Sequence, residues 1–245
     1  GKDDFDSTCI GKNMQLSTSP TKNKKTFAVL KDALNFPEIH EGIRAEFKKL
    51  IFQLEEQGHK INYINLPLLR YLVPTYYILT TAEASSNLAR YDGIKYGNQT
   101  TMDNLNDLIA ETRSIGFGKE VKRRILLGTY VLSEGYYEAY YTKAQKIRKL
   151  IQDQTKKILL ENDYILLPTT PNIPFKIGEK STSPTQLYLE DVFTVQANLS
   201  GHPSISFPLG QVEKRFFASA QIIGDFFSEK SIIDTTNQIL TIIKQ

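Results

Sequence analysis

The sequence has very little of the chemistry that metal sites and disulfide frameworks need. Its 245 residues include one cysteine, Cys9, and three histidines that lie far apart, at His40, His59 and His202. A single thiol excludes an internal disulfide, and no histidine has a second histidine or cysteine at metal-ligand spacing. A reactive thiol would also need a histidine partner and an activating environment. The sequence therefore predicts neither a metal centre nor a catalytic cysteine.

Long apolar runs and a one-sided charge are also missing. No apolar segment reaches the roughly 18–20 residues that a membrane-spanning helix needs. The 30 Lys and Arg residues stand against 27 Asp and Glu residues, and a net charge of +3 is too small to indicate nucleic-acid binding on electrostatics alone. A hydrophobic content of 40% is enough to bury a sizeable core. The composition thus predicts a cytoplasmic α/β protein with no membrane association.

Motifs of a self-contained catalytic machine are absent as well. The sequence has no Gly-x-Ser-x-Gly elbow, no phosphate-cradling glycine loop and no paired-carboxylate signature. Ser85 and Ser86 have only Glu83 as a local base, and a serine nucleophile needs a base within hydrogen-bond reach. The small residues of this turn are better explained by close helix packing. We therefore predict no catalytic residue in this chain.

What the sequence does contain is an alternation of strand and helix patterns. Thr26–Leu30 and Ile61–Leu66 are β-rich, and between them an amphipathic helix is predicted to begin at Pro37 and to end before Gly58. This is the pattern of a β-α-β unit. Residues 1–25 are predicted to be an N-terminal tail or loop, and residues 26–245 the folded portion. Further strands are predicted at Tyr164–Leu167, Ile205–Phe207 and Ala218–Ile223, with helices between 68 and 162, from Pro184 through Leu199, and from a Ser228 cap to Ile243.

Two local patterns indicate a binding site for a small polar molecule. Pro74 interrupts a helical hydrogen-bond ladder near Tyr76 and Tyr77 and can direct one of these rings into a cleft. Arg124 ends the triplet Lys122–Arg124, and successive helical residues point about 100° apart. If the first two residues of the triplet face water, Arg124 faces inward together with Val121 and Leu127, where its guanidinium needs a carboxylate. Paired tyrosines between 136 and 141 are expected to pack against the body of the protein.

Several segments resemble the amidase-signature family. SSNLARYDG at residues 85–93 and GFGKEVKRR at 116–124 are similar to its branch of glutamyl-tRNA(Gln) amidotransferase A subunits. PTTP at 168–171 and GHPSIS at 201–206 resemble the family more widely. The resemblance implies a mixed sheet flanked by helices, namely the C-terminal portion of the amidase-signature fold. It also implies that the family's Ser–cis-Ser–Lys triad lies upstream of Gly1, so that this chain alone should be inactive.

The same resemblance implies a substrate and a set of residues that recognise it. The substrate is glutamine, with Tyr76 in the amide-substrate pocket and Tyr77 as the alternative. Arg124 corresponds to the family's arginine for the α-carboxylate, and Asp191 to its acidic residue for the α-ammonium. Taken without the resemblance, Asp191 is typical of a surface helix. We expect Tyr76, Arg124 and Asp191 to line one concave surface.

The resemblance further implies an assembly. Ammonia released from glutamine would pass to the amidotransferase B subunit, which converts Glu-tRNA(Gln) to Gln-tRNA(Gln) with ATP and Mg, and the C subunit would complete the complex. This chain itself would need no cofactor. Two alternatives remain open at this point. One is a catalytically inert amidase-like scaffold or interaction protein, and the other is a different amide hydrolase of the same family.

Overall fold

A computed structural model describes residues 3–9, 24–178, 184–213 and 215–244 of the chain. The chain forms two compact units, one of Gly1–Val73 with Leu150–Gln245 and one of Pro74–Lys149. Most of the tail predicted at residues 1–25 lies outside the described residues, so that boundary stays a prediction. No helix in the described ranges has the length and apolarity needed to cross a membrane.

The first unit is built on a mixed sheet. Its strands in the described residues are β1 (Thr26–Leu30), β2 (Lys60–Ile64), β3 (Tyr164–Pro168), β4 (Ser204–Glu213) and β5 (Phe216–Ile223). Their order is β2-β1-β3-β5-β4. Strand β1 is parallel to β2 and β3, whereas β5 is antiparallel to both β3 and β4. The predicted α/β class with a mixed sheet is therefore confirmed.

Helices account for most of the remaining described chain. They are α1 (Lys31–Leu34), α2 (Glu41–Glu56), α3 (Leu69–Leu88), α4 (Leu105–Gly116), α5 (Lys119–Leu132), α6 (Lys143–Glu161), α7 (Pro184–Leu189), α8 (Val195–Ser200) and α9 (Glu229–Ile243). A π-helical segment, Tyr137–Thr142, precedes α6. Helix α2 connects the parallel strands β1 and β2 and packs against β4, β5 and α9. The predicted β-α-β unit is thus confirmed.

The predicted start of α2 is wrong, whereas that of α9 is confirmed. Helix α2 begins at Glu41, because the Nδ1 atom of His40 accepts the backbone N–H of Gly42 at 3.1 Å and so caps the helix after the turn that contains Pro37. Ser228 is the N-cap residue of α9, as predicted, but its hydroxyl donates to the Asp225 carbonyl at 2.6 Å and makes no capping bond to the helix. The residue type alone thus does not fix which side chain makes a capping bond.

The core of the first unit lies along β3. Every residue of this strand is buried, and Leu166 has no exposed surface. Tyr164 carries a hydroxyl into this apolar layer, where it is shared with the Ser231 hydroxyl at 2.6 Å and accepts from Thr235 at 2.9 Å. A buried hydroxyl without such partners would destabilise the fold. This network therefore ties α9 to the central strand.

Candidate functional site

Helices α3 and α5 pack closely in the unit Pro74–Lys149. The Arg124 guanidinium lies over the Tyr77 ring, Gly128 lies against the Thr81 backbone, and the hydroxyls of Ser85 and Thr129 are 3.0 Å apart. The contacts advance in the same direction along both helices, so α3 and α5 run parallel here. A glycine inside a helix is unfavourable by about 1 kcal/mol relative to alanine, but Gly128 lets the two backbones approach.

The contact confirms the packing interpretation of the small residues near Glu83. Ala82 is buried, and the Ser85 side chain faces α5 rather than a base. The contacts between α3 and α5 also bear on the candidate site. It fixes where Arg124 stands relative to the tyrosines of α3.

Arg124 finds its carboxylate on its own helix. Its Nε is 3.2 Å from Oε1 of Glu120, one turn earlier, and its guanidinium carbon is 5.6 Å from the centre of the Tyr77 ring. Glu120 also pairs with Arg123. As predicted, Lys122 and Arg123 are exposed and Arg124 is half-buried. Leu127 was expected to face inward, and this was wrong: 40% of it is exposed.

The two tyrosines that follow Pro74 have different environments. Tyr77 is buried beneath Arg124, whereas Tyr76 is half-buried and meets the Tyr77 ring edge-on, with ring centres 5.3 Å apart. A ring that supports the guanidinium holds it by a cation–π contact. The geometry therefore favours Tyr77 as the support for Arg124 and leaves Tyr76 as the tyrosine with more surface for a ligand.

Asp191 lies in the other unit, in the turn between α7 and α8. Its backbone carbonyl accepts N–H groups from Thr194 and Val195 at 3.0 and 3.1 Å, and the residue is half-buried. The continuous helix predicted from Pro184 through Leu199 is wrong, because this turn divides it, and Asp191 is accordingly not on a helix surface. A common surface for Tyr76, Arg124 and Asp191 stays a prediction.

A polar cavity beside this turn was not predicted from the sequence. It has a volume of about 470 Å³ and is lined by Thr194, Ala197, Asn198, Gly201, His202, Ser204, Ser206 and Gln221. Gln221 is buried and donates to the carbonyls of Pro168 and Phe193 while it accepts from the Ser204 hydroxyl. The available signal was a glutamine within the apolar strand pattern of β5, where an amide needs partners. The cavity begins three residues after Asp191.

His202 is the titratable group of this cavity, and it is buried. Its ring stacks on Phe226 with centres 4.0 Å apart, and neither ring nitrogen has a hydrogen-bond partner among the described residues. Burial lowers the pKa of His202 below its ordinary value of 6.5, and the nearby charge of Asp225 opposes the shift only in part. The ring is thus held in its neutral form.

Acid is expected to weaken the fold through His202. Because its folded-state pKa lies below the unfolded value, the unfolded chain binds more protons, and stability is lost as the pH falls below about 6.5 towards the folded pKa. Urea unfolding between about pH 7.5 and 5.5 measures this dependence, and His202→Gln should make it shallower. His59→Gln is the comparison, since burial lowers the pKa of His59 too. An unchanged pH dependence in the His202 variant would contradict the assignment.

The paired tyrosines between 136 and 141 contact one another, and all but the half-buried Tyr141 are exposed, which corrects the expectation that they pack against the body of the protein. Ring centres are 4.3 Å apart for Tyr130 and Tyr136, 6.0 Å for Tyr136 and Tyr140, and 5.1 Å for Tyr137 and Tyr141. More than 40% of each of the residues Tyr130, Tyr136, Tyr137 and Tyr140 is exposed. The pKa of Tyr130 is raised to about 12, chiefly by its hydrogen bond with Tyr136. The phenol therefore stays protonated near neutral pH and does not act as a base. Within the described residues, no three His, Cys, Asp or Glu side chains cluster as metal ligands.

Comparison with known proteins identifies relatives across the whole chain. The sequence profile of the family described as Amidase matches residues 1–233. The glutamyl-tRNA(Gln) amidotransferase A subunit of Campylobacter hominis is 45% identical over 100% of this chain, and that of Pelagibacter ubique is 54% identical over 72% of it. These alignments cover 54% and 36% of the two relatives. The chain thus spans about half the length of the curated relatives it matches, or less.

Solved structures agree with this relationship. The glutamyl-tRNA(Gln) amidotransferase A subunit of Thermotoga maritima superposes with a TM-score of 0.69 and 35% identity, over 95% of this chain and 46% of that one. A 6-aminohexanoate cyclic dimer hydrolase superposes over 100% of this chain and 51% of its own, with a TM-score of 0.67 and 15% identity. At that identity the second comparison shows the fold alone.

Proposed function

Because this chain belongs to the amidase family, we propose that it is the C-terminal, glutamine-recognising part of the A subunit of a glutamyl-tRNA(Gln) amidotransferase. The observation that carries the proposal is the setting of Arg124, which is tied to Glu120 through Nε and laid against Tyr77. A guanidinium that is held in this way is suited to a planar carboxylate. Relatives with 45% and 54% identity carry the name of that subunit.

Each of the three predicted residues has one role in the proposal. Arg124 binds the α-carboxylate of glutamine, Asp191 binds its α-ammonium, and Tyr76 borders the side-chain amide. A zwitterion needs one cation and one anion in its pocket, and the two charged residues supply them. Tyr77 and Glu120 are not assigned contacts with glutamine. Their role is to orient Arg124.

The reaction itself is proposed to need groups outside this chain. A serine of the family's Ser–cis-Ser–Lys triad attacks the amide carbon of glutamine, ammonia leaves, and water hydrolyses the acyl-enzyme to glutamate. The B subunit then uses ATP and Mg, together with this ammonia, to convert Glu-tRNA(Gln) to Gln-tRNA(Gln), within a complex that includes the C subunit. The parent protein is in this proposal a cytoplasmic ligase that uses glutamine as its amide donor. This chain binds no cofactor.

The proposal predicts that the 245-residue chain alone releases no ammonia from glutamine above background. A hydroxyl is a weak nucleophile near neutral pH unless a base lies within hydrogen-bond reach. The sequence shows no pair of a nucleophilic hydroxyl and a base. An ammonia assay of the purified chain tests this, and co-expression with the amino-terminal half of the Campylobacter hominis relative should restore turnover. Turnover by the chain alone that is abolished by one substitution in it would overturn the proposal. Absence of turnover in the co-expressed pair would favour an inert scaffold.

A further inference from the structure

A groove runs across α4 and α5 in the unit Pro74–Lys149. It consists of three adjoining cavities of about 270, 350 and 600 Å³. The first and second share Arg113 and Phe117, and the second and third share Lys122 and Leu126. Because each cavity shares two residues with the next, they form one elongated depression, the α4–α5 groove. Arg124 does not line it.

The lining of the groove is cationic. Arg113, Lys119, Lys122 and Arg123 line its cavities, and no carboxylate does. Of these four, Arg123 is paired with Glu120, whereas the other three form no ion pair within the described parts of the chain. Arg113 donates instead to the carbonyls of Leu88 and Tyr91, at 2.8 and 2.7 Å, and these neutral groups leave its charge uncompensated. Such a surplus attracts a polyanion.

Aromatic rings lie at the same end of the groove as Arg113. Tyr91 and Tyr96 border it with 54% and 83% of their surfaces exposed, and the Arg113 guanidinium lies 4.9 Å from the centre of the Phe117 ring. Apart from chain neighbours and the backbone of the same helix, no described atom lies within 4 Å of the place where a β-carbon on Gly97 or Gly116 would stand. By their exposure Tyr91 and Tyr96 have ring surface that a flat ligand can reach, whereas the Phe117 ring lies against Arg113.

The first part of the loop that presents these tyrosines is held against α4. Gly93 has a φ of 80°, and a β-carbon there would overlap the side chain of Thr112, so only glycine fits against α4. Arg113 holds the preceding carbonyls of Leu88 and Tyr91. A surface formed in advance loses little conformational entropy when it binds a ligand.

We propose that the α4–α5 groove binds single-stranded RNA, with phosphates on Lys119, Lys122 and Arg113 and unpaired bases stacked on Tyr91 and Tyr96. Base stacking on aromatic rings beside a cationic track is the common physical basis of single-strand binding. A duplex has no free base faces for the tyrosines. The assignment goes beyond the proposed function, which has the B subunit act on Glu-tRNA(Gln) and assigns no RNA contact to this chain. An acidic protein segment is the competing occupant, because Leu126, 71% exposed, forms part of the lining.

Fluorescence anisotropy of the 245-residue chain tests the proposal with three labelled probes. The probes are a single-stranded RNA of about 12 nucleotides, the same RNA as a duplex, and a poly-glutamate peptide. We expect the single strand to bind most tightly. Tyr96→Leu should weaken its binding about tenfold through lost stacking. The double variant Lys119→Gln/Lys122→Gln should reduce the salt slope by about 1.4, since each lost phosphate contact contributes about 0.7.

Removing two lysines elsewhere provides the matched control. Lys156 and Lys157 are exposed on α6 and line none of the three cavities. Lys156→Gln/Lys157→Gln lowers the net charge equally and should leave RNA affinity unchanged within about twofold. Undetectable RNA binding, equal binding of the duplex, or an equal loss in this control would overturn the proposal. Tighter binding of the poly-glutamate peptide would assign the groove to an acidic protein partner instead.

Discussion

Alanine at position 128 is expected to destabilise the unit Pro74–Lys149 by about 2 kcal/mol, although alanine is the better helix former. A β-carbon on Gly128 would overlap the carbonyl oxygen of Thr81 and lie 2.6 Å from the Ser85 β-carbon. That carbonyl is backbone and is held in α3, so α5 has to move away from α3. Urea unfolding followed by far-ultraviolet circular dichroism measures the loss.

Gly116→Ala is the matched control for this prediction. Gly116 is the last residue of α4, and apart from its chain neighbours and the backbone of α4 no described atom lies within 4 Å of the place where its β-carbon would stand. Alanine there should be neutral or stabilise the protein by up to about 1 kcal/mol, because it restricts the unfolded chain more than glycine does. Two substitutions of the same chemistry should therefore differ by about 2–3 kcal/mol in their effect on stability. Equal destabilisation by both would show that the contact between Gly128 and Thr81 does not limit the packing of α5.

Replacing Arg124 by glutamine is expected to lower kcat/KM for glutamine hydrolysis about 100-fold in the assembled enzyme of the proposed function. Hydrogen bonds to a charged group contribute about 1.5–3 kcal/mol, and about 2.8 kcal/mol corresponds to a factor of 100. Arg124→Lys should lose about tenfold, since lysine keeps the charge but lacks the planar fork that carboxylates match. Ammonia release measured over a range of glutamine concentrations separates the effect on KM from that on kcat.

The adjacent arginine provides the control. Arg123 pairs with the same Glu120 but is exposed, so Arg123→Gln removes an equal charge from the same turn of α5. A surface ion pair contributes less than about 1 kcal/mol, and we expect less than about a threefold loss of kcat/KM. If both variants lost activity equally, general electrostatics rather than a defined contact would explain the effect. An active Arg124→Gln variant would remove the substrate assignment altogether.

The strands that the sequence predicted best are those whose residues are buried. Thr26–Leu30 was predicted with its observed bounds, and the predicted Tyr164–Leu167 lacks only Pro168 of β3. A short run of apolar residues is typical of a buried strand, so few other structures fit such a segment. Strand β4 extends from Ser204 to Glu213, well past the predicted Ile205–Phe207. Its buried and exposed residues alternate, and its pairing with β5 continues through two register shifts. The length of a strand such as β4 is set by its pairing with a distant part of the chain, and the local sequence pattern does not predict it.

The candidate site could be predicted in its residue types but not in their partners. Helical spacing correctly turned Arg124 away from its exposed neighbours, yet the expected inward carboxylate came from Glu120 on the same helix. The resemblance left open which tyrosine belongs to the site, and the burial of Tyr77 beneath Arg124 gives a physical reason to prefer Tyr76. The π-helical turn at Tyr137–Thr142 was not predicted from the sequence. A π-helix differs from an α-helix in its hydrogen-bond spacing, and the residue types of this segment do not indicate that difference.

The parallel contact between α3 and α5 also limits how Arg124 can move. Tyr77, Thr81 and Ser85 lie on successive turns of α3, and Gly128 is the only glycine of α5. A small axial slide of α5 would press the next side chain of that helix against the Thr81 carbonyl. A slide of a whole helical turn, about 5.4 Å, would also bring a larger side chain to this carbonyl, so the contact holds α5 in a single axial position. Fine adjustment to a ligand therefore belongs to the rotamers of Arg124 and not to the position of its helix.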